Sequence, residues 1–396
     1  MVSNQVLIIG FVIFWTIVTL VGRTNKAKKA GFETKPLYII WKYHKIEKYL
    51  VKLSSRKKFW NIYADLSVIL GIILLIGSIA FLTNNIINLF NSQDDFLGVT
   101  ILIPFVTLKS PDILLYFFLA VPLILILHEG AHGVISVLEK IKVESGGFAI
   151  LGVLIAGFVE PNEDEFKKAK SVSKLRLIGA GSSANLVSSI FVAALLITTP
   201  FFGAFLPLPV RDVFYKPSIG LPIFDVDQDL EEGNLGLLED DIITEINGKR
   251  IRSPQDLQEI EFGVGESVEI GIIRNGEQRN INIITSPSED DPSKGMIGIK
   301  HLGTSQYPSK FPISLEFSRS VTLFLFWFWF LSWHISIFNM LPLYPLDGDQ
   351  FFAALLEKIS DPKKRKIIRY LVNVLIGLLL IGNLVGTFLI SGLLTL

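Results

Sequence analysis

Apolar residues fall in long blocks separated by charged stretches. Val2 to Val21, Ile62 to Leu82, Ile113 to Leu138, Leu175 to Leu196, Val321 to Leu341 and Ile367 to Leu394 are nearly free of charge. Each approaches the roughly 20 residues that a helix needs to cross a bilayer core. Soluble helices keep a polar face, and these blocks have none. Helices are the required conformation, because lipid offers no partner to an unsatisfied backbone group. Six membrane-spanning helices are therefore predicted. The first block carries no positive residue ahead of it, so it reads as a span and not as a cleavable leader. A seventh apolar run, Phe96 to Val106, is too short to span and reads as a surface or re-entrant piece.

Between the fourth and fifth blocks the pattern changes to alternation with period two. Ser267 to Ile272 and Ile281 to Ile284 read as strands around an Asn275-Gly276 turn. Asp240 to Ile246 reads as a strand ending in a second turn, Asn247-Gly248. Ser253-Pro254 starts a predicted helix over Gln255 to Phe262, with Ser253 as N-cap. A small β-rich module is predicted over residues 212–303, inserted between two groups of membrane helices. It is similar to the PDZ domains of bacterial and archaeal proteases in three places: Leu237 to Gly248, the Ser-Pro-Gln-Asp-Leu helix start, and the Arg274-Asn275-Gly276 hairpin. That likeness implies binding of a peptide or C-terminus by strand addition, with the carboxylate loop at Ser218 to Ile223.

Composition changes the picture in two ways. The 396 residues include no Cys, which excludes disulfides, zinc–thiolate sites and a Cys nucleophile. Any metal must be held by His and carboxylates. The 37 basic and 37 acidic residues cancel, but they are unevenly placed. Residues 23–58 hold twelve basic against two acidic side chains, while Arg211 to Glu316 holds ten basic against twenty acidic ones. Segments rich in basic residues also follow the third block (Glu139 to Lys174) and the fifth (Glu357 to Lys366). The positive-inside rule puts all three in the cytoplasm, with the N-terminus and the acidic β-rich module outside. Nucleic acid is excluded as a partner of so acidic a module.

The third block contains His128-Glu129-Gly130-Ala131-His132. Two His at i and i+4 lie on one helical face and can reach one ion, with Glu129 beside the open coordination position. Ionisable residues inside a membrane block are costly and mark function. A catalytic zinc normally has three protein ligands and a water. The third candidate comes from the fifth block, Asn339-Met340-Leu341-Pro342-Leu343-Tyr344-Pro345-Leu346-Asp347-Gly348-Asp349, where two prolines break the helix at membrane depth. Asp347 falls at the break. Asp349 is the competing carboxylate, expected to be more exposed and to cap the next helix. The other His, at 44, 301 and 334, lack partners in sequence.

These two motifs together, H-E-x-x-H and N-x-x-P-x-x-P-L-D-G, resemble those of the site-2 protease family of intramembrane zinc metalloproteases. The resemblance covers residues 113–349. It implies Zn²⁺ bound by His128, His132 and Asp347, Glu129 as general acid/base, and Asn339 near the bound substrate. Gly179 to Asn185 looks like the family's glycine-rich helix without the Pro often found there, and Asn185 would help hold substrate. The glycines read equally well as a close helix-packing surface. The runs Gly146 to Leu151 and Ile155 to Pro161 correspond to a membrane-dipping β-like loop able to align an unwound substrate.

The expected organisation is a polytopic α-helical membrane protein of about six transmembrane helices with an inserted PDZ-like domain. Residues 1–61 form a first span and basic loop, 62–211 and 304–396 the two parts of the protease core, and 212–303 the extracytoplasmic module. The zinc site faces the cytoplasmic side. Expected partners are transmembrane protein substrates and the lipid bilayer. Two rival functions remain: a non-catalytic membrane-anchored PDZ scaffold, and a membrane metalloprotease with a Glu third ligand acting on cytoplasmic substrates.

Overall fold

The computed structural model describes residues 4–91, 95–196, 216–226, 236–288, 291–302, 305–308, 310 and 315–391. They fall into two compact units, residues 1–191 with 327–396, and residues 192–326.

In the first unit, helix α1 (Asn4–Gly22) leads to a short helix α2 (Asn25–Lys29), a hairpin β1 (Phe32–Lys35) and β2 (Tyr38–Tyr43), and helix α3 (Glu47–Leu53). The long helices α4 (Lys57–Asn91) and α5 (Pro111–Leu138) follow, then the hairpin β3 (Val143–Leu151) and β4 (Leu154–Pro161), a short α6 (Glu163–Lys168) and helix α7 (Ser171–Leu196). Five helices among the described residues are long and apolar enough to cross a membrane: α4, α5, α7 and the two C-terminal helices below. The first expected span forms the 19-residue helix α1, of which Phe11–Gly22 is a shorter apolar stretch and not one of these five; Val2 and Ser3 lie outside the described residues. The Phe96–Val106 run is not helical.

Helix α4 shows how such a helix packs without a polar face. It buries Ala64, Ser67, Gly71, Leu74, Leu75, Ser78, Leu82 and Asn85, which recur every three or four residues apart from the adjacent pair Leu74 and Leu75, and exposes Ile62, Ile69, Ile73 and Ile76. Small residues on the packed side let neighbouring backbones approach, and the branched apolar side is suited to lipid. Charged residues gather at one end of the bundle. Arg176 of α7 bonds Glu139 at 2.8 Å and also Asp65 of α4, while Lys174 bonds Glu357 at 2.6 Å.

The β3–β4 hairpin bears out a β-like segment after the HExxH helix. It is half of a larger element. The segment read as a basic loop folds its residues 32–43 into β1 and β2, and β2 pairs with β3 to give an antiparallel sheet in the order β1-β2-β3-β4. Trp41 lies opposite Phe148, and Phe148 opposite Gly157.

The second unit holds β5 (Leu221–Val226), β6 (Ile242–Ile246), β7 (Lys249–Arg250), helix α8 (Pro254–Gln258), β8 (Ser267–Arg274), β9 (Glu277–Ile284), the short pair β10 (Ser286–Pro287) and β11 (Gly295–Met296), and β12 (Ile299–Leu302). Its main sheet runs β12-β5-β6-β8-β9, and β7 pairs with β6. Leu221, Ile223, Ile243, Ile246, Ile251, Val268, Ile270 and Ile272 form its core. Both predicted Asn-Gly turns are present, with positive φ at Asn247, Gly248, Asn275 and Gly276, the backbone a two-residue hairpin turn requires. This β-rich content is consistent with a PDZ-like domain.

Two expectations for this unit are corrected. The helix after Ser253 stops at Gln258 instead of reaching Phe262: the Ile260 N–H turns to the Leu257 carbonyl at 3.0 Å, and the Phe262 carbonyl accepts the Gly295 N–H at 2.8 Å. Strand addition next to Ser218 to Ile223 is blocked. β5 has β6 on one side and β12 on the other, and Gly220 is bridged to Gln306, so the chain itself fills that edge.

Beyond the second unit, α9 (Leu315–Asn339) ends at the proline-broken turn, α10 (Asp347–Leu356) follows it, and α11 (Pro362–Ser391) closes the chain. Residues 392–394 of the last expected span lie outside the described residues. Helix α11 packs on α4 through Ile376, Leu82 and an Asn85–Asn383 amide bond of 2.7 Å.

Candidate metal centre

Helix α5 runs unbroken through Leu127 to Gly133, so His128 and His132 project from one face. Helix α9 ends at Asn339, and the chain turns through Pro342 and Pro345 before α10 begins at Asp347. The turn brings Asp347 to the two imidazoles. Asp347 Oδ2 lies 3.1 Å from His128 Nε2 and 3.2 Å from His132 Nε2, and the two Nε2 atoms are 3.2 Å apart. Among the described residues, this is the cluster of three His or carboxylate groups able to hold a metal ion. Asn339 sits at its rim, with Nδ2 donating to Asp347 Oδ2 at 3.0 Å and lying 3.0 Å from His128 Nε2.

The donor set fits zinc. Two imidazole nitrogens and one carboxylate oxygen are typical of an open catalytic site. Zinc bonds of about 2.0–2.1 Å in a tetrahedron place ligand atoms about 3.3 Å apart, close to the separations found. A second observation comes from α7. A Cβ at Gly181 would lie 2.6 Å from His128 Nε2 and closer still to His132 Nε2. Only glycine leaves the space in front of both donor atoms free.

The other ring nitrogens face the same helix. His132 Nδ1 is 2.8 Å from the Leu177 carbonyl, and His128 Nδ1 is 3.0 Å from the Asn185 carboxamide. Leu177, Gly181 and Asn185 are four residues apart and share one face of α7. Asn185 is fully buried behind the His128 ring, away from the side on which the three donor atoms meet.

Glu129 lies between the cluster and the sheet. Its stem runs against β4 where that strand has Gly157, whose Cβ would come within 2.9 Å of Glu129 Cγ.

Asp349 departs from expectation. It is 1% exposed, and the helix-capping position is occupied by Leu346. Its carboxylate is held by Arg369 Nε and Asn373 Nδ2, each at 2.8 Å, and Asn373 Oδ1 accepts the Tyr344 N–H at 2.7 Å. Thus α11 braces the turn that presents Asp347. A sequence signal for the brace existed: Arg369 and Asn373 are polar residues at i and i+4 near the start of an apolar helix. His44 is exposed, and His334 Nδ1 lies 2.6 Å from the Phe330 carbonyl of its own helix.

Residues 116–382 match the model of peptidase family M50, the site-2 protease family, over more than half of the chain. The chain belongs to peptidase family M50. That family consists of zinc-dependent metallopeptidases. All three residues of the cluster lie within the matched span. This M50 chain is also 30% identical, over 246 residues, to an uncharacterized protein of Methanocaldococcus jannaschii. The match covers 61% of this chain, which spans 57% of the length of that relative. A solved PDZ domain of an SdrC-like protein from Listeria monocytogenes aligns with 22% of this chain and 90% of its own, at 23% identity and a TM-score of 0.19. Family and helices together make this M50 member a multi-pass membrane protein.

Proposed function

We propose that the protein is an intramembrane zinc endopeptidase that hydrolyses peptide bonds within or near transmembrane segments. The observation that carries this reading is the meeting of His128 Nε2, His132 Nε2 and Asp347 Oδ2 within 3.2 Å of one another, beside Glu129. His128, His132 and Asp347 would hold the zinc ion. Zinc bound there supplies Lewis acidity to a water molecule and to the scissile carbonyl. Glu129 takes the proton from the attacking water and passes it to the leaving amide nitrogen. Asn339 Nδ2, at the rim, donates to the substrate carbonyl as its oxygen gains charge. The edge strand β4 passes Glu129, and a locally unwound substrate segment adds to that edge. Unwinding is required because an intact helix hides its peptide groups.

In this reading the module at 212–303 filters substrates, and it stands outside the cytoplasm together with the N-terminus. The zinc site faces the cytoplasm. Support for that orientation is the placement of the basic segments. The test is Glu129→Gln in proteoliposomes with a labelled single-span substrate. General acid–base catalysis is worth about 10²–10⁴-fold, so cleavage should fall by that factor with zinc retained. Cleavage at the wild-type rate would overturn the mechanism.

A further inference from the structure

We infer that Asn185 is a positioning residue that fixes the tautomer of His128, its carboxamide oxygen accepting the Nδ1 proton so that Nε2 keeps a free lone pair. This inference rests on the zinc-site reading above.

A neutral imidazole carries one proton. To bind an ion through Nε2 it must carry that proton on Nδ1, and Nδ1–H then needs an acceptor. For His132 the acceptor is the Leu177 carbonyl at 2.8 Å. For His128 the group in position is the Asn185 carboxamide, 3.0 Å from Nδ1. In the orientation observed, Nδ2 faces the ring. Asn185 Oδ1 is buried without any hydrogen-bond partner. This orientation suits the opposite tautomer, with Nδ2 donating to Nδ1 and His128 Nε2–H donating to Asp347 Oδ2 at 3.1 Å.

The two ends of a carboxamide are nearly equal in size. Half a turn about its terminal bond exchanges Oδ1 for Nδ2. The exchange gives the orphan oxygen a partner and lets it accept from Nδ1–H. The His128 proton moves from Nε2 to Nδ1, so the ring stays neutral and its charge balances. Once Nε2 is engaged elsewhere the proton must sit on Nδ1, and Nδ2 facing it would set donor against donor; the exchanged orientation replaces that clash with an Nδ1–H to Oδ1 bond.

The backbone of Asn185 is held for the task. Its carbonyl accepts from Ser188 Oγ at 3.0 Å and from Ser332 Oγ of α9 at 3.1 Å. Total burial leaves no route from the carboxamide to a substrate main chain.

The experiment measures zinc affinity of the detergent-purified full chain by competition with a chromophoric chelator. It compares wild type, Asn185→Leu (similar in shape, no acceptor) and Asn185→Asp (acceptor only). Hydrogen-bond partners of the other ring nitrogen of a metal-bound His are worth about 10–100-fold in affinity. Asn185→Leu should weaken zinc binding by that factor, and Asn185→Asp should stay close to wild type. In zinc-loaded wild-type protein labelled with ¹⁵N-histidine, His128 should show Nδ1 protonated. The spectrum requires no variant to fold. Wild-type affinity in Asn185→Leu, an equal loss in Asn185→Asp, or His128 protonated on Nε2 would each overturn the inference. A wild-type chain that binds no zinc would instead overturn the metal site.

Discussion

The two halves of the candidate metal centre are built in opposite ways. His128, Glu129 and His132 stand on one uninterrupted helix, so backbone hydrogen bonding fixes their spacing. Asp347 is the first residue of α10, reached only after the non-helical turn that follows Asn339. It is held by an outside brace, Arg369 and Asn373 of α11 acting through Asp349 and Tyr344. A helix positions ligands by local geometry. A turn needs tertiary contacts, and its precision is only as good as those contacts.

Removing a ligand from either half should have the largest effect. His128→Ala and Asp347→Ala should each abolish stoichiometric zinc, measured by metal analysis of purified protein. Retained zinc in Asp347→Ala would place the third ligand elsewhere and break the comparison. Next comes clearance. Gly181→Ala puts a methyl group against both Nε2 atoms and should lower zinc affinity more than 100-fold, an order-of-magnitude expectation. Gly130→Ala, on the HExxH helix itself, meets nothing within 4 Å and should bind zinc normally.

The brace should give a smaller and more indirect effect. Arg369→Leu leaves the buried Asp349 carboxylate with Asn373 but without its counter-charge, and should lower the melting temperature while weakening zinc. Adding Asp349→Asn to that variant should recover part of the stability. Full affinity and stability in Arg369→Leu would show that the turn positions Asp347 unaided.

The smallest effect concerns the sheet beside Glu129. Lys42 of β2 bonds Glu160 of β4 at 2.8 Å, and Ser145 bonds the same carboxylate. Burial pushes the Glu160 carboxyl up, but these bonds outweigh it and hold it below its ordinary 4.5. A depressed carboxyl contributes stability that is complete above its unfolded value and is lost as pH falls through the lower folded one. Melting temperatures of wild type and Glu160→Gln should therefore differ at about pH 7 and converge towards about pH 3. An equal gap at both pH values would contradict this.

The helical half of the site was legible in sequence because i, i+4 spacing translates directly into a shared face. Asp347 was legible through the prolines that break its helix. Asp349 was not, since its partners lie 20 and 24 residues further on and a carboxylate two residues into a helix reads as a cap. Both Asn-Gly hairpins could be read because turn chemistry is local. The pairing of β2 with β3 could not. It joins residues more than 100 positions apart, and the lysines around residues 32–43 mask the alternation of a strand. The interior place of β5 was hidden for the same reason, its second neighbour being β12. Gly181 stood in plain view in a glycine-rich helix, but its use depends on what faces it.

The most direct test of the account is zinc-edge X-ray absorption on the purified full chain, with Asp347→Ala beside it. The account predicts one zinc per chain with two imidazole nitrogens and carboxylate or water oxygens at about 2.0–2.1 Å, and loss of that signal in the variant. A wild-type spectrum without imidazole scattering, or one identical in Asp347→Ala, would contradict it.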